Sequence, residues 1–404
     1  MRIWRIVGFV LLGAVSALPC AIGFRRTPWH KKPGSESGLF AFEQNGRVGF
    51  IDRTGKIVIP PKINARILDV GDFSNGLARV EHQGYIDESG RFVIKNKLAW
   101  EDFDDGVARI PEQSPSPHSE GRAALLDPTG RIIGRIPMLR TGRFSENLAA
   151  FTTEGRHGGQ EPGSFAGRYF PGPQGFRDKQ GNVVIEPKFA DVGPFRNGLA
   201  RAALDGACHR ATASNGQQGT PTTGYANGCF GAPPDAVSSC KVGFLNKEGQ
   251  FAIQPRFESA QDFQEQLAAV RIGGQWGFID SSGAVVIQPQ FEQVDSFREG
   301  LAGVKVDGKW GFIDASGKIT IQPSFKEIEP FSDSMALIYQ QAGASYIDRS
   351  GRIQIRGPFR QATSFVNGLA AVLVGEGHVA YIDYSGKTVF EYSPRRIRGV
   401  FFYE

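Results

Sequence analysis

Apolar and polar positions alternate along this chain in short runs. Trp276 and Phe278 fall on one face of such a run, and Ile319 and Ile321 fall on one face of another. Alternation with a period of two is typical of half-buried β-strands. Within the repeats described below, no stretch of ten residues has the i, i+3, i+4, i+7 spacing of an amphipathic helix. The pattern therefore predicts an all-β protein.

The alternating runs recur with a period of about 34 residues. Each copy has an aromatic or Gly-Phe dyad, Ile-Asp, two residues and Gly, then a β-branched run, often Pro, and later Phe-x-x-Gly-Leu-Ala. A fixed period of this length indicates stacked copies of one small unit. Nine copies are counted, some with a degenerate phrase. Their turn cores begin at Asp52, Asp87, Asp127, Asp178, Asn246, Asp280, Asp314, Asp348 and Asp383.

Turn chemistry predicts how each copy folds. In Asp-x-x-Gly, the Asp side chain can accept a bond from the amide two residues on, and Gly can adopt the left-handed conformation. Asp307-Gly308 lies between two alternating runs and predicts a tight hairpin. The Pro after the second run cannot donate to a ladder, so pairing is expected to stop there. Each unit is therefore predicted to be a three-stranded antiparallel meander.

The phrase running from Lys309 to Asp314, Lys-Trp-Gly-Phe-Ile-Asp, resembles the WG repeat, also called the KWG repeat. The resemblance extends over most of residues 43–390. It is weaker in four copies, where Gly84-Tyr85, Ala124-Leu125, Ser345-Tyr346 and Ala380-Tyr381 replace the dyad. The resemblance implies a bacterial β-repeat protein that binds or scaffolds. It brings no catalytic motif, so no enzymatic activity, cofactor or metal is expected.

Residues 43–404 are assigned to the repeat array. Stacked meanders can form a closed propeller or an open β-superhelix, which is a solenoid. Nine copies exceed the usual four to eight blades, and about 34 residues is short for a four-stranded blade. The open superhelix is therefore the favoured expectation.

Three insertions interrupt the period at residues 111–121, 152–174 and 204–241. Each replaces the turn that Asp307-Gly308 forms in the regular copy, so the three should project from one edge of the array. Loops on a rigid scaffold are common binding elements. Their content of Gly, Pro, Ser and Thr also fits solvated coil that is merely tolerated. The candidate partner-binding residues are Arg168, Tyr169, Phe170, Tyr225 and Phe230.

Cys208, Cys229 and Cys240 all lie in the longest insertion. Cys208 and Cys240 lie next to the two ends of its hairpin neck, so a Cys208–Cys240 disulfide is favoured. The other two pairings remain open. A zinc site using His209 is the less favoured alternative, because the cysteine spacing matches no familiar metal knuckle.

Residues 1–24 predict export. Arg2 and Arg5 precede an apolar run, as in a signal peptide, although an uncleaved anchor or a lipidated Cys20 remain alternatives. Residues 25–42 form a linker. In all three cases the array would be extracytoplasmic, whereas the basic residues from Arg25 to Lys32 would oppose export under the positive-inside rule.

The formal charge of +5 comes from six cations within residues 1–32, leaving −1 for residues 33–404. A nucleic-acid surface is therefore not expected. The sequence favours a non-catalytic scaffold that binds an unidentified protein partner. Carbohydrate or cell-wall binding through exposed aromatics is the second hypothesis, and an unrecognised hydrolase is the third. Contact with a membrane is expected only through the possible N-terminal anchor.

Overall fold

The computed structural model describes residues 37–112, 121–137, 141–153, 172–204, 241–340, 343–374 and 377–394, together with the backbone of 156–157 and 169–170. These residues form nine small antiparallel sheets in chain order, here called blades 1 to 9. A separate two-stranded ribbon pairs Arg156–His157 with Tyr169–Phe170. One 3-10 turn spans Ile67–Asp69. The predicted all-β class is confirmed.

Blades 4 to 8 have four strands, which we number along the chain. They are Thr141–Ser145, Leu148–Thr152, Gln174–Arg177 and Val183–Phe189 in blade 4; Asp191–Val192, Ala200–Ala203, Val242–Leu245 and Phe251–Phe257 in blade 5; and Ser259–Ala260, Ala268–Ile272, Gln275–Ile279 and Val285–Phe291 in blade 6. They are Gln293–Val294, Leu301–Val306, Lys309–Asp314 and Ile319–Phe325 in blade 7, and Glu327–Ile328, Met335–Gln340, Gly343–Asp348 and Ile353–Phe359 in blade 8. The short first strand was not predicted.

The other four blades have three strands within the described residues, and these correspond to the second, third and fourth strands above. They are Phe40–Gln44, Arg47–Ile51 and Ile57–Ile63 in blade 1; Leu77–Val80, Gly84–Asp87 and Phe92–Lys95 in blade 2; Ala108–Pro111, Arg122–Leu126 and Ile132–Pro137 in blade 3; Ala370–Val374, His378–Ile382 and Thr388–Tyr392 in blade 9. The three-stranded meander therefore holds for these blades.

The glycine of the Trp-Gly dyad is required by a close approach between two strands. In blade 7, a Cβ added to Gly311 would lie 2.5 Å from the carbonyl oxygen of Ile321 and 2.6 Å from the nitrogen of Pro323. The register shifts at this point, and Trp310 pairs with Phe325 beyond the proline. The expectation that pairing stops at the proline is therefore wrong, because a bulge carries the strand past it.

Blade 8 has the same close approach of its third and fourth strands, which we call the crossing, but with a different pair of residues. Ser345 stands where blade 7 has Gly311, and Gly357 stands where blade 7 has Pro323. A Cβ on Gly357 would lie within 2 Å of the Ala344 carbonyl oxygen, and the Gly357 amide donates to Ser345 Oγ at 3.0 Å. In blade 7 the glycine that makes room for the close approach is on the third strand, and in blade 8 it is on the fourth.

The Asp-x-x-Gly turns between third and fourth strands form as predicted. In blade 7, Asp314 Oδ1 accepts bonds from the Ser316 amide at 2.9 Å and the Lys318 amide at 3.1 Å. Gly317 closes the turn with φ +86°. A Cβ on this glycine would also lie 3.1 Å from Ile287 of blade 6, so the turn packs against the preceding blade.

Nine buried apolar clusters lie between successive blades, one at each interface. An aromatic ring of the third strand meets the phenylalanine that leads into the next blade at most of them. Phe312 and Phe331 show this pairing, with ring centroids 4.8 Å apart and near edge-to-face geometry. The Phe of Phe-x-x-Gly-Leu-Ala is therefore a core residue.

The last blade packs against the first. Gly55 of blade 1 lies against the Val389 backbone of blade 9, the counterpart of the Gly317–Ile287 contact. Phe42 and Phe390 have ring centroids 4.7 Å apart, and the Tyr381 hydroxyl donates to the Ala41 carbonyl at 2.7 Å. The nine blades thus form a propeller-like ring. The favoured open superhelix is not supported, because the two ends bury apolar surface in each other.

Because the strands alternate in direction, successive turns lie at opposite ends of a blade. The first–second and third–fourth turns lie on one face of the ring, which we call the cap face. The second–third turns, Asp307-Gly308 in blade 7, lie on the other, which we call the insertion face.

Candidate functional site

The three insertions all join a second strand to a third strand. The blade 3 insertion separates Ala108–Pro111 from Arg122–Leu126, and the blade 4 insertion separates Leu148–Thr152 from Gln174–Arg177. The blade 5 insertion separates Ala200–Ala203 from Val242–Leu245. The flanking strands are paired in register in every case. The insertions therefore leave three consecutive blades from the insertion face.

The blade 4 insertion begins as a continuation of its hairpin. Thr153 donates its amide to the Pro173 carbonyl at 3.0 Å, and Thr152 Oγ1 donates to the Gly172 carbonyl at 2.8 Å. The ribbon of 156–157 and 169–170 follows, so the backbone of Tyr169 and Phe170 lies on a paired strand. The other predicted site and disulfide residues lie outside the described residues: Arg168, Tyr225, Phe230, Cys208 and Cys240.

Two tryptophans lie beside second–third turns in neighbouring blades. Trp276 of blade 6 and Trp310 of blade 7 occupy equivalent positions, and both are half-buried. Lys305 Nζ lies 6.0 Å from the centroid of Trp310. The sequence marked these residues only as part of the repeat phrase, and their position on the same face as the insertions was not predicted.

The cap face has a chain of hydrogen bonds between blades that the sequence did not indicate. The Glu265 carboxylate of blade 6 accepts bonds from the Glu299 amide at 2.6 Å and the Gly300 amide at 2.8 Å, both in blade 7. Glu299 in turn accepts from the Ser334 amide of blade 8 at 2.9 Å. Equivalent bonds run from Gly106 to Asn75, Asn147 to Asp105, Gly198 to Glu146 and Gly368 to Asp333.

Cations of the third–fourth turns reinforce this chain. Lys247 Nζ lies 3.1 Å from Glu146, and Arg349 Nη1 lies 3.9 Å from Glu299, in each case in the preceding blade. Hydrogen bonds also lower the pKa of seven turn aspartates, and that of Asp87 falls to about 2 because Ser89 and Arg91 donate to it. The pKa values of Asp52, Asp127, Asp280, Asp314, Asp348 and Asp383 are lowered for the same kind of reason.

The buried carboxyls offer little chemistry. Burial and, next, the Glu329 charge raise the pKa of Asp295 to about 6. A shallow cleft between blades 3 and 4 is lined by Glu101, Asp104, Arg109 and Arg143, which form the ion pairs Glu101–Arg109 and Asp104–Arg143. Within the described ranges, no group of three or more His, Cys, Asp or Glu side chains could hold a metal, and no helix has the length and apolar character to cross a membrane.

Nine small antiparallel blades in a ring define a propeller-like repeat protein. The family model described as "WG containing repeat" matches residues 49–83, 175–206, 243–276, 276–310 and 310–341. The chain is therefore a WG-repeat-containing protein, as the resemblance implied. The five matches begin at the dyads of blades 1, 4, 5, 6 and 7, which are the blades with the glycine–proline crossing.

Solved structures show a similar fold at low identity. A crystal structure of a eukaryotic initiation factor is 11% identical, with a TM-score of 0.56, and the match covers 88% of this chain and 95% of that one. BamB from Moraxella catarrhalis is 10% identical, with a TM-score of 0.38 and coverage of 86% and 94%. The first similarity supports the fold alone. Comparison with curated proteins gives no match.

Proposed function

We propose that this protein is a non-catalytic scaffold that binds a protein partner through the insertion face. The observation that carries the proposal is that three consecutive blades lengthen the same turn, whereas blades 6 and 7 keep it to two residues. Insertions at the same turn of three neighbouring blades add chain side by side on one face, which suits a macromolecular partner.

The cap face is the less suitable surface for a partner. Its turn carboxylates and amides are bonded to the neighbouring blade, as in the Glu265 and Glu299 bonds. A partner that used these groups would have to break bonds between blades. The proposal therefore assigns the binding role to the insertion face and a structural role to the cap face.

A photo-crosslinking residue at single sites tests this assignment in the cells that make the protein. The insertion-face sites are Gln275 and Lys309, and the cap-face control sites are Glu88 and Ala315; all four are exposed. We expect one protein partner to crosslink from the first pair and not from the second. Equal crosslinking from both pairs, or from the cap-face sites alone, contradicts the proposal.

The loop aromatics are proposed to supply the contacts. Replacing Tyr169, Phe170, Tyr225 and Phe230 together by alanine should weaken that partner's binding at least tenfold, since buried aromatics dominate many interfaces. The control is Tyr384→Ala, which removes an exposed aromatic from the cap face. Unchanged affinity of the fourfold variant, measured with the crosslinked partner once purified, would reject the role of these side chains.

Carbohydrate binding is the second candidate, and the half-buried Trp276 and Trp310 favour it because they repeat in neighbouring blades. Carbohydrate binding predicts that the protein is retained on insoluble cell-wall material. Loss of retention in the double variant Trp276→Ala, Trp310→Ala, with retention kept in Tyr384→Ala, would support this candidate over the protein-partner hypothesis.

We also propose that the ring lies outside the cytoplasm. The support is the sequence of residues 1–24, where Arg2 and Arg5 precede an apolar run. Protease treatment of intact cells and of cells with a permeabilised envelope tests it. Protection of the ring in both, with digestion only after lysis of the inner membrane, contradicts an extracytoplasmic location.

A further inference from the structure

One interface in the ring has a different composition from the other eight. The residue after the buried aromatic of the third strand, or after Leu125 in blade 3, packs against the preceding blade. At eight positions it is Ile or Leu and is 6% exposed or less: Ile51, Ile86, Leu126, Leu245, Ile279, Ile313, Ile347 and Ile382. In blade 4 the same position is Arg177. A guanidinium therefore takes the place of a buried aliphatic side chain between blades 3 and 4.

Few contacts replace the water that the guanidinium of Arg177 loses on burial. Its guanidinium carbon lies 4.1 Å from the centroid of Phe151, and Nη1 donates to the Gly181 carbonyl at 3.4 Å. Its Nε is buried and has no hydrogen-bond partner among the described residues. Burial lowers the pKa of Arg177, in keeping with the loss of hydration. A buried polar group without a partner destabilises the contact that buries it.

A second polar residue lies on the same face of blade 4. Thr141 pairs with Phe151 across the ladder, so both side chains share a face with Arg177. Thr141 is fully buried, and its Oγ1 has no partner within the described ranges. The corresponding residues Val192 and Val294 of blades 5 and 7 are aliphatic.

Apolar packing is also weakest here. Among the described residues, the cluster between blades 3 and 4 has the fewest buried members of the nine. Leu125 faces Phe144, whereas seven other interfaces have a ring pair of the Phe312–Phe331 kind. Aromatic pairs and buried apolar side chains supply most of the attraction between blades. Within the described ranges, this interface has the fewest buried apolar side chains and lacks such a ring pair.

Charged contacts hold blades 3 and 4 together instead. Lys179 Nζ lies 3.1 Å from Asp105 Oδ2, and Arg143 Nη1 lies 3.5 Å from Asp104 Oδ2. Arg109 of blade 3, which is paired with Glu101 of the same blade, donates across the interface to the Thr141 carbonyl of blade 4. Partly exposed ion pairs contribute little and are screened by salt.

We infer that the ring opens between blades 3 and 4, and that this interface is a built-in opening point of the ring. Opening there separates the insertion of blade 3 from that of blade 4, so it changes the spacing of two loops on the insertion face. Local opening at the interface with the fewest apolar contacts is the expected behaviour of a cooperative assembly with unequal parts.

Hydrogen exchange of the whole protein, read by mass spectrometry, tests the inference. We expect amides of 122–137 and 141–152 to exchange at least tenfold faster than their counterparts in blades 6 and 7. Arg177→Ile should slow exchange at this interface at least tenfold. The matched control, Ile313→Arg, should raise exchange at the interface of blades 6 and 7.

Salt supplies a readout that does not depend on any variant folding. Raising the ionic strength should accelerate exchange between blades 3 and 4 and leave the interface of blades 6 and 7 nearly unchanged. Uniform exchange at all nine interfaces, or exchange between blades 3 and 4 that is insensitive to salt and to Arg177→Ile, overturns the inference.

Discussion

The two faces of the ring are built from the same strands but use their polar groups differently. On the cap face, turn side chains such as Glu265 bond to the next blade, and turn glycines such as Gly317 pack on the preceding one. On the insertion face, Glu292 bonds only within its own blade, to the Gly308 amide, and a Cβ on Gly308 would meet nothing within 4 Å. The face that holds the ring together cannot vary freely, whereas the other face can.

The largest difference is expected between two glycines of blade 7. Gly317 and Gly308 both have positive φ, at +86° and +72°. Gly308→Ala should cost about 1 kcal/mol from backbone strain alone. Gly317→Ala adds overpacking against Ile287, for a total of about 2–3 kcal/mol. Urea unfolding measures both. Equal losses would remove the distinction between the faces at the level of packing.

Acid should act through the cap face. The pKa of Asp87 is lowered to about 2, so its bonds stabilise the fold fully above its unfolded pKa of about 4 and are lost as the pH falls through 2. Stability should therefore fall between pH 4 and pH 2, and Asp87→Asn should flatten that slope. Blade 5 has Asn246 at this position, so Asn246→Asp should steepen it. Thermal unfolding across this pH range gives both slopes.

Removing a single turn carboxylate should have a smaller effect. Glu265→Ala leaves the Glu299 and Gly300 amides to water and should cost about 1 kcal/mol. The insertion-face control is Glu292→Ala. Hydrogen exchange should show loosening in blade 7 after the change in blade 6, whereas the control loosens only its own hairpin. Loosening confined to blade 6 would mean that the inter-blade bond has no energetic weight.

The smallest effect on stability is expected on the insertion face. Replacing residues 205–240 by Asp-Gly, as in blade 7, should change the free energy of unfolding by only about 1 kcal/mol, since loop-closure entropy varies slowly with length. Partner binding should be lost if the proposed function holds. A collapse of the fold in this variant would show that the insertion is part of the core.

The repeat, the Asp-x-x-Gly turns and the Asp307-Gly308 hairpin were predictable because each depends on neighbouring residues. The Cys208–Cys240 disulfide and the loop residues stay predictions. Ring closure was not predictable in this way, because Tyr381 and Ala41 meet across almost the whole chain. The short first strands were missed because two residues, as in Gln293–Val294, leave no alternation to detect.

The sequence alone gave no reason to single out Arg177. Only the structure shows that the corresponding residues of the other blades are buried against a neighbour, which makes a cation at that position an exception. The same holds for Glu265 and Glu299, which look like ordinary surface acids until the adjacent blade is in place.

The exchange of glycine between strands in blade 8 has a consequence for tracing the ancestry of such rings. Selection at the crossing acts on a gap between two backbones, and either strand can leave it, as Gly311 and Gly357 show. A lineage can therefore lose the letters Trp-Gly from a copy while its geometry is inherited intact. A family model that reads those letters passes over such a copy, as it does over blade 8, although the close approach of the two strands is kept there.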